Sequence, residues 1–295
     1  MKVGVIGAGK WGEALSFALS EKNEVIITSR TPRDWPNFKP LSEVLACEYL
    51  IITVPAQQIG QWLQENFTFS GQKILVAAKG IEASSGRFLN EIYMQYVPEA
   101  NLAFLSGPSF ASEVIRSLPT ALVINSASTS TAQEFAALFP KFIRTYISED
   151  VIGAEITGAY KNVIAIAAGI CEGLALGHNA AASLIARGLV EMERFGRAYG
   201  AQTESFLGLS GAGDLFLTAS SPLSRNFRVG LGLAKGLSKE AVCEEIGEVS
   251  EGIGTAYALH EIAVARGVYL PIAAEVYAIL EGKSPQQSLR DLIER

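Results

Sequence analysis

The sequence predicts an α/β amino-terminal domain with a parallel sheet, followed by an all-α carboxyl-terminal domain, on three observations. Short β-branched runs alternate with helix-like segments through the first half. A glycine turn stands between the first run and the first helix. After about Asp150 the strand-like runs give way to long segments rich in Ala, Leu, Ile, Glu and Arg. Alternating strand and helix is the pattern of βαβ crossovers, in which each helix returns the chain to the same end of the sheet and the strands lie parallel. A length of 295 residues suits two domains. The expected division is 1–149 and 150–295, with the junction at 145–150.

Taken in order, the runs at 2–6, 24–28, 49–54, 73–78, 102–106 and 121–125 read as strands, because Val, Ile and Thr fit a pleated surface. Helix-like segments at 12–20, 59–65, 87–96 and 130–138 fall between several of them. In the second half, apolar residues recur at three- and four-residue spacing over 152–170, 180–199, 225–235, 252–266 and 272–280, which places an apolar stripe on each helix.

Composition excludes several function classes. Hydrophobic residues make up 49% of the chain and charged residues 18%, enough apolar material for a sizeable core and no case for disorder. A net charge of -6 argues against a nucleic-acid partner, which would need basic residues clustered on one face. Cys47, Cys171 and Cys243 lie far apart and form no C-x-x-C pair, which suits reduced, buried thiols and a cytoplasmic protein. Gly9, Lys10 and Gly12 interrupt the apolar opening before a secretory segment forms, and the apolar stretch 163–171 is far shorter than the roughly 20 residues of a membrane span. No membrane insertion is expected.

The most specific local signal is Gly7-Ala8-Gly9-Lys10-Trp11-Gly12, preceded by a strand and followed by Glu13-Ala14-Leu15 at the start of a helix. The first glycine permits a tight turn, the second removes a side chain where a pyrophosphate must approach, and the third lets helix pack closely on strand. The helix amino terminus then receives the phosphate charge. This order of strand, turn and helix is Rossmann-like and predicts a dinucleotide cofactor. Where an acidic residue would bind the ribose of NAD, the second strand ends in Ser29-Arg30-Thr31-Pro32-Arg33. Arg30 and Arg33 suit a 2′-phosphate, so NADPH is the expected preference, with NADH also usable. An arginine there also suits stacking on adenine without selecting either cofactor.

Ligands of open parallel sheets collect beyond the carboxyl ends of the strands, where the sequence places Arg30, Val54-Pro55, Lys79-Gly80 and Ser106-Gly107-Pro108-Ser109. Reducing a carbonyl also needs an acid to protonate the oxygen. His178 and His260 read as structural or surface residues, whereas Lys161 sits among small and apolar neighbours in Gly158-Ala159-Tyr160-Lys161-Asn162-Val163. A second cluster, Gly211-Ala212-Gly213-Asp214-Leu215 followed by Ser224-Arg225-Asn226, supplies a carboxylate and a cation suited to phosphate. Taken alone, Lys79 also reads as a solvated strand end, Asp214 as a helix cap and Arg225 as a surface bridge.

With the glycine turn, Leu105-Ser106-Gly107-Pro108-Ser109-Phe110-Ala111, the Lys161 motif and the two later clusters in this order, the chain resembles the bacterial NAD(P)-dependent glycerol-3-phosphate dehydrogenases over nearly its whole length. The resemblance implies a Rossmann domain plus a helical domain. It also implies reversible reduction of dihydroxyacetone phosphate to sn-glycerol 3-phosphate, supplying glycerophospholipid synthesis, with a homodimeric assembly and no metal. At matching positions it makes Lys161 the catalytic acid/base and places Lys79, Gly107, Ser109, Asp214, Ser224, Arg225 and Asn226 around the substrate. Thr218, one helical turn beyond Asp214, is a further candidate donor to substrate. Beside the glycine turn with Lys10, the residues Trp11, Arg30, Lys79, Ala111, Arg225, Val249 and Glu251 would contact or enclose the cofactor, although Glu251 also reads as an exposed carboxylate at a helix start.

Two departures stand out. Only residues 31–48 separate the second and third strands, where the family usually has an additional helical segment near the adenine side. Tyr160 stands where a leucine often precedes the catalytic lysine, which adds a hydroxyl near the site. Competing readings are a related two-domain reductase of another small keto or 3-hydroxy acid, and a non-catalytic NADPH sensor. The pairing of Asp214 with Ser224-Arg225-Asn226 disfavours the first, and retention of Lys161 with both clusters disfavours the second.

Overall fold

Strands β1 (Lys2–Ile6), β2 (Glu24–Thr28), β3 (Tyr49–Ile52), β4 (Lys73–Val76), β5 (Leu102–Ser106), β6 (Thr120–Asn125) and β7 (Ile143–Ser148) form one sheet in the order β2-β1-β3-β4-β5-β6-β7. They belong to a computed structural model that describes residues 1–247 and 250–293. Strands β1 to β5 are mutually parallel, with Val5 opposite Ile27 on one side and Ile51 on the other. Both faces are buried, so these strands are nearly continuous apolar runs rather than alternating ones. On one face Val3, Val5, Ile27, Ile51 and Leu75 pack against Leu15 and Leu19 of α1 (Lys10–Ser20), Val114 of α5 (Ala111–Val114) and Phe135 of α6 (Thr129–Leu138). On the other, Ile6, Leu50, Ile52, Ile74 and Val76 meet α2 (Leu41–Leu45), α3 (Ala56–Asn66) and α4 (Leu89–Tyr93).

Two features of the sheet differ from expectation. β7 is a seventh strand, and it occupies most of the stretch read as a domain junction. As an edge strand it leaves Tyr146 and Ile147 exposed, so it lacks the doubly buried apolar run that marks its neighbours. β6 runs antiparallel to β5, whereas β7 returns parallel to β6. The short 31–48 stretch holds α2 and lies along the outer edge of β2. There Ile27 N donates to Asn37 O at 3.0 Å and Lys39 N donates to Ile27 O at 2.9 Å.

The chain forms two compact units, Met1–Lys79 with Leu89–Ala154, and Gly80–Phe88 with Glu155–Arg295. The second is helical: α7 (Val151–Gly173, begun in the first unit), α8 (Gly177–Arg197), α9 (Thr203–Leu207), a π-helical turn at Leu209–Gly213, α10 (Asp214–Ala219), α11 (Arg225–Ala234), α12 (Lys239–Ile246), α13 (Glu251–Arg266), α14 (Pro271–Leu280) and α15 (Pro285–Ile293). By length and composition α7 is apolar enough to cross a membrane, but 83% of that window is buried inside the protein, as befits a core helix. It meets α11 backbone to backbone. A Cβ on Gly169 would lie 2.0 Å from Phe227 O, and one on Gly230 would lie 2.1 Å from Ile166 O. That close approach sets the amino-terminal end of α11 beside the middle of α7.

The Tyr160 hydroxyl, expected near the site, is committed elsewhere. It donates at 2.8 Å to the buried carboxylate of Glu191, which also accepts from Ile272 N and Ala273 N at 2.9 Å and so caps α14 from α8. Burial pushes the Glu191 carboxyl above its ordinary value of 4.5, outweighing the hydrogen bonds and the Arg194 charge that pull it down. A raised carboxyl stabilises the fold in its protonated form. That contribution is complete below the ordinary value and is lost as pH rises through the elevated one. Urea unfolding should therefore show wild type losing stability by more than Glu191→Gln does as pH rises above the ordinary carboxyl value of 4.5. Equal slopes in the two proteins would contradict it.

Candidate active site

The cofactor turn sits where the strand order reverses, beyond the carboxyl ends of β1 and β3, the place where doubly wound sheets open a crevice. Gly7 has φ +110°, and a Cβ there would lie 2.2 Å from Thr53 Oγ1. Thr53 donates that hydroxyl to Ile6 O and Gly7 O, each at 3.1 Å, pinning the turn from the end of β3. A Cβ on Gly12 would lie 1.8 Å from Gly7 O, so the third glycine is what lets α1 rest on the turn. Gly9 is different, since a Cβ there would meet nothing within 4 Å. Packing therefore does not demand glycine at position 9, whereas the approach of a pyrophosphate does. Gly9 also leaves the amino terminus of α1 without a side-chain cap, so its first amides face outward. These residues fit a dinucleotide.

Lys10 is exposed on the first turn of α1, and Trp11 donates its indole N–H to Ala77 O at 3.1 Å, tying α1 to the end of β4. Trp11 and Ala111 pack against the same core cluster. Arg30 stands exposed just beyond β2. Lys79, Gly107 and Ser109 come together on one carbonyl: Lys79 Nζ donates to Gly107 O at 3.3 Å and Ser109 Oγ donates to it at 3.4 Å, with Gly107 at φ +102°.

In the helical unit, residues 53 positions apart meet. Lys161 Nζ from the middle of α7 lies 2.6 Å from Asp214 Oδ1 and donates to Thr218 Oγ1 at 3.0 Å, while Thr218 Oγ1 donates to Asp214 Oδ1 at 3.2 Å. Exposure is 8% for Lys161, 1% for Asp214 and 5% for Thr218. Asp214 is the first residue of α10, directly after the π-helical turn. Such turns displace the following residues relative to a regular helix and often accompany functional sites. Spacing of four on α10 puts Thr218 on the same face as Asp214. Desolvating a charged pair is tolerable only with good geometry and further hydrogen bonds, and Thr218 supplies one to each partner.

Ser224 caps α11, accepting from Phe227 N at 3.3 Å, which leaves Arg225 exposed at the first helical position and Asn226 buried at the second. Asn226 Oδ1 accepts from Ser250 Oγ at 2.6 Å and from Gly252 N at 3.0 Å, reaching the start of α13, where Glu251 is half-buried. Val249 lies outside the described residues. Neither histidine joins these groups: His178 is exposed at the start of α8 and His260 stacks on Tyr277 at 3.7 Å. Among the described residues, no group of three or more His, Cys, Asp or Glu side chains is placed to hold a metal ion.

Thr53 and Ser250 were not singled out from sequence. Each acts by hydrogen-bonding a segment distant in the chain, and a lone hydroxyl residue carries no mark of that.

The family model for the NAD-dependent glycerol-3-phosphate dehydrogenase N-terminus matches residues 36–132, and that for the C-terminus of the same family matches residues 150–290. A glycerol-3-phosphate dehydrogenase [NAD(P)+] from Sulfurimonas denitrificans is 68% identical over 292 residues, covering 99% of both chains. One from Nitratiruptor sp. is 57% identical and covers 100% of this chain and 99% of the relative. The crystal structure of glycerol-3-phosphate dehydrogenase from Coxiella burnetii superposes with a TM-score of 0.92 at 31% identity, covering 100% of this chain and 99% of that one.

Proposed function

The chain belongs to the NAD-dependent glycerol-3-phosphate dehydrogenase family, and from that premise we propose that Lys161, held by Asp214 and Thr218, is the acid/base of its reaction. That reaction is the reversible NAD(P)H-dependent reduction of dihydroxyacetone phosphate to sn-glycerol 3-phosphate, which feeds glycerophospholipid synthesis. The observation that carries the assignment is the buried Lys161–Asp214 pair at 2.6 Å.

When bound, the reduced dinucleotide supplies the hydride to the ketone carbon. Lys161 gives its proton to the ketone oxygen as negative charge develops there, and its amine recovers a proton from the hydroxyl in the reverse direction. Asp214 and Thr218 aim the ammonium and hold it, and burial strengthens its effect on the oxygen. The Arg225 guanidinium and the Asn226 amide hold the phosphate, with Ser224 fixing the start of the helix that carries both. Lys79, Gly107 and Ser109 complete the substrate surroundings.

The cofactor is gripped by Gly7, Gly9, Lys10, Trp11 and Gly12, with Arg30, Lys79, Ala111, Arg225 and Glu251 around it. Trp11 contributes its ring rather than its N–H, which Ala77 O already occupies. Arg30 beyond β2 supports a preference for NADPH, and equal affinity for NADH would overturn that preference.

Absorbance of NADPH and NADH in the presence of dihydroxyacetone phosphate tests the whole reading: oxidation of the dinucleotide is expected, and its absence with both overturns the reading. Arg225→Ala should raise KM for dihydroxyacetone phosphate by about tenfold or more, the worth of a charge-assisted hydrogen bond. An unchanged KM removes Arg225 from the phosphate site. A cytoplasmic homodimer completes the proposal. A monomer mass by light scattering would contradict it.

A further inference from the structure

The N-cap residue of α13, Ser250, makes no side-chain bond to its own helix. The Gly252 N–H is satisfied from another helix instead, by Asn226 Oδ1 at 3.0 Å, and the same oxygen accepts from Ser250 Oγ at 2.6 Å. A backbone N–H can only donate, so the orientation of the Asn226 amide is fixed: its oxygen faces α13 and its NH2 points elsewhere. Asn226 Nδ2 makes no hydrogen bond among the described residues. The joint also has no slack. A Cβ on Gly252 would lie 2.6 Å from Asn226 Oδ1 and 2.8 Å from the carbonyl oxygen of Asn162, the residue after Lys161.

We propose that Asn226 is a positioning residue that couples the two ligands, its NH2 taking the substrate phosphate while its oxygen holds the start of α13, and with it Glu251, in place for the cofactor. This rests on the assignments of Arg225 and Asn226 to phosphate and of Glu251 to cofactor. A planar amide on two torsions cannot be fixed at one end without fixing the other. Substrate that orders Nδ2 therefore also orders the acceptor that caps α13. By linkage the effect is reciprocal: each ligand tightens the other by the same factor.

NADPH and sn-glycerol 3-phosphate are both reduced and do not react together, so calorimetric titration of NADPH with and without saturating glycerol phosphate reads the coupling directly. In wild type, NADPH should bind about fivefold or more tightly with glycerol phosphate present. Ser250→Ala leaves the phosphate contacts intact, and should weaken NADPH binding and reduce the coupling. Ser250→Thr, which keeps the hydroxyl, should restore both.

A structural role alone would weaken both ligands together in every variant and would not give these one-sided losses. Absent coupling in wild type, wild-type behaviour of Ser250→Ala, or a folded Ser250→Thr that restores nothing overturns the proposal. Titrating Arg225→Ala with glycerol phosphate separates the premise from the inference: wild-type affinity there overturns the phosphate assignment, whatever Ser250→Ala does.

Discussion

Lys161→Met should lower kcat by about 10²- to 10⁴-fold, the usual worth of a positioned acid, with NADPH binding left largely intact because the glycine turn is untouched. The same substitution should destabilise the protein. It removes the Lys161 ammonium from the Asp214 carboxylate, which is 1% exposed, and breaking one side of a buried pair typically costs about 3–5 kcal/mol. The two effects separate in the double variant Lys161→Met with Asp214→Asn. A neutral amide needs no counter-charge, so the double variant should unfold at a higher temperature than Lys161→Met while staying as inactive. Wild-type turnover in either variant removes Lys161 from the chemistry. A double variant no more stable than the single one would show that the pair is not what makes the loss costly.

The cofactor turn yields the second large effect, and two glycines three positions apart should behave oppositely. At Gly12, a Cβ would lie 1.8 Å from Gly7 O and 2.9 Å from Gly7 C, both backbone atoms that cannot swing aside. Gly12→Ala must push α1 off β1, a displacement that costs about 1–3 kcal/mol or more and takes the phosphate seat with it. At Gly9, with φ -79° and nothing within 4 Å of a Cβ, alanine is conformationally allowed. Gly9→Ala should match wild type in urea or exceed it by about 0.4–1 kcal/mol through the unfolded chain. Its Kd for NADPH should nonetheless rise at least about tenfold, since the new methyl stands where the pyrophosphate approaches. Wild-type NADPH affinity in Gly9→Ala would mean that the pyrophosphate does not sit on this turn.

The contrast between Gly9 and Gly12 also marks the limit of what pattern alone reveals. The motif names both residues with equal weight. Only the folded chain shows that a Cβ at Gly7 or Gly12 would collide with atoms of the turn and its neighbours, whereas one at Gly9 would meet nothing. Thr53, which pins the turn through two carbonyls, was not legible because its position beside β1 depends on the strand order, and one threonine at a strand end has no signature. Tyr160 misled for a related reason. Next to Lys161 in the chain, it leaves the helix about 100° away from it and reaches Glu191 instead. β7 escaped notice because an edge strand carries exposed side chains, which blur the apolar run used to find the others.

By itself, the sequence determined the α/β sheet followed by helices and the strand, glycine turn and helix at its start, and it singled out Lys161 with its neighbours. Each rests on residues within a few positions of one another, and short-range spacing is what a linear pattern records. The place of Thr218 was reachable by the same logic, being one turn from Asp214 on a single helix, but its role was not: expected to donate to substrate, its hydroxyl donates to Asp214 Oδ1 and accepts from Lys161 Nζ. Tertiary structure alone decided that Lys161 pairs with Asp214 across 53 residues, that β6 reverses, and that Asn226 caps a helix other than its own. Those contacts depend on how helices cross, and the crossing of α7 and α11 at Gly169 and Gly230 is set by steric fit between backbones that no local spacing encodes.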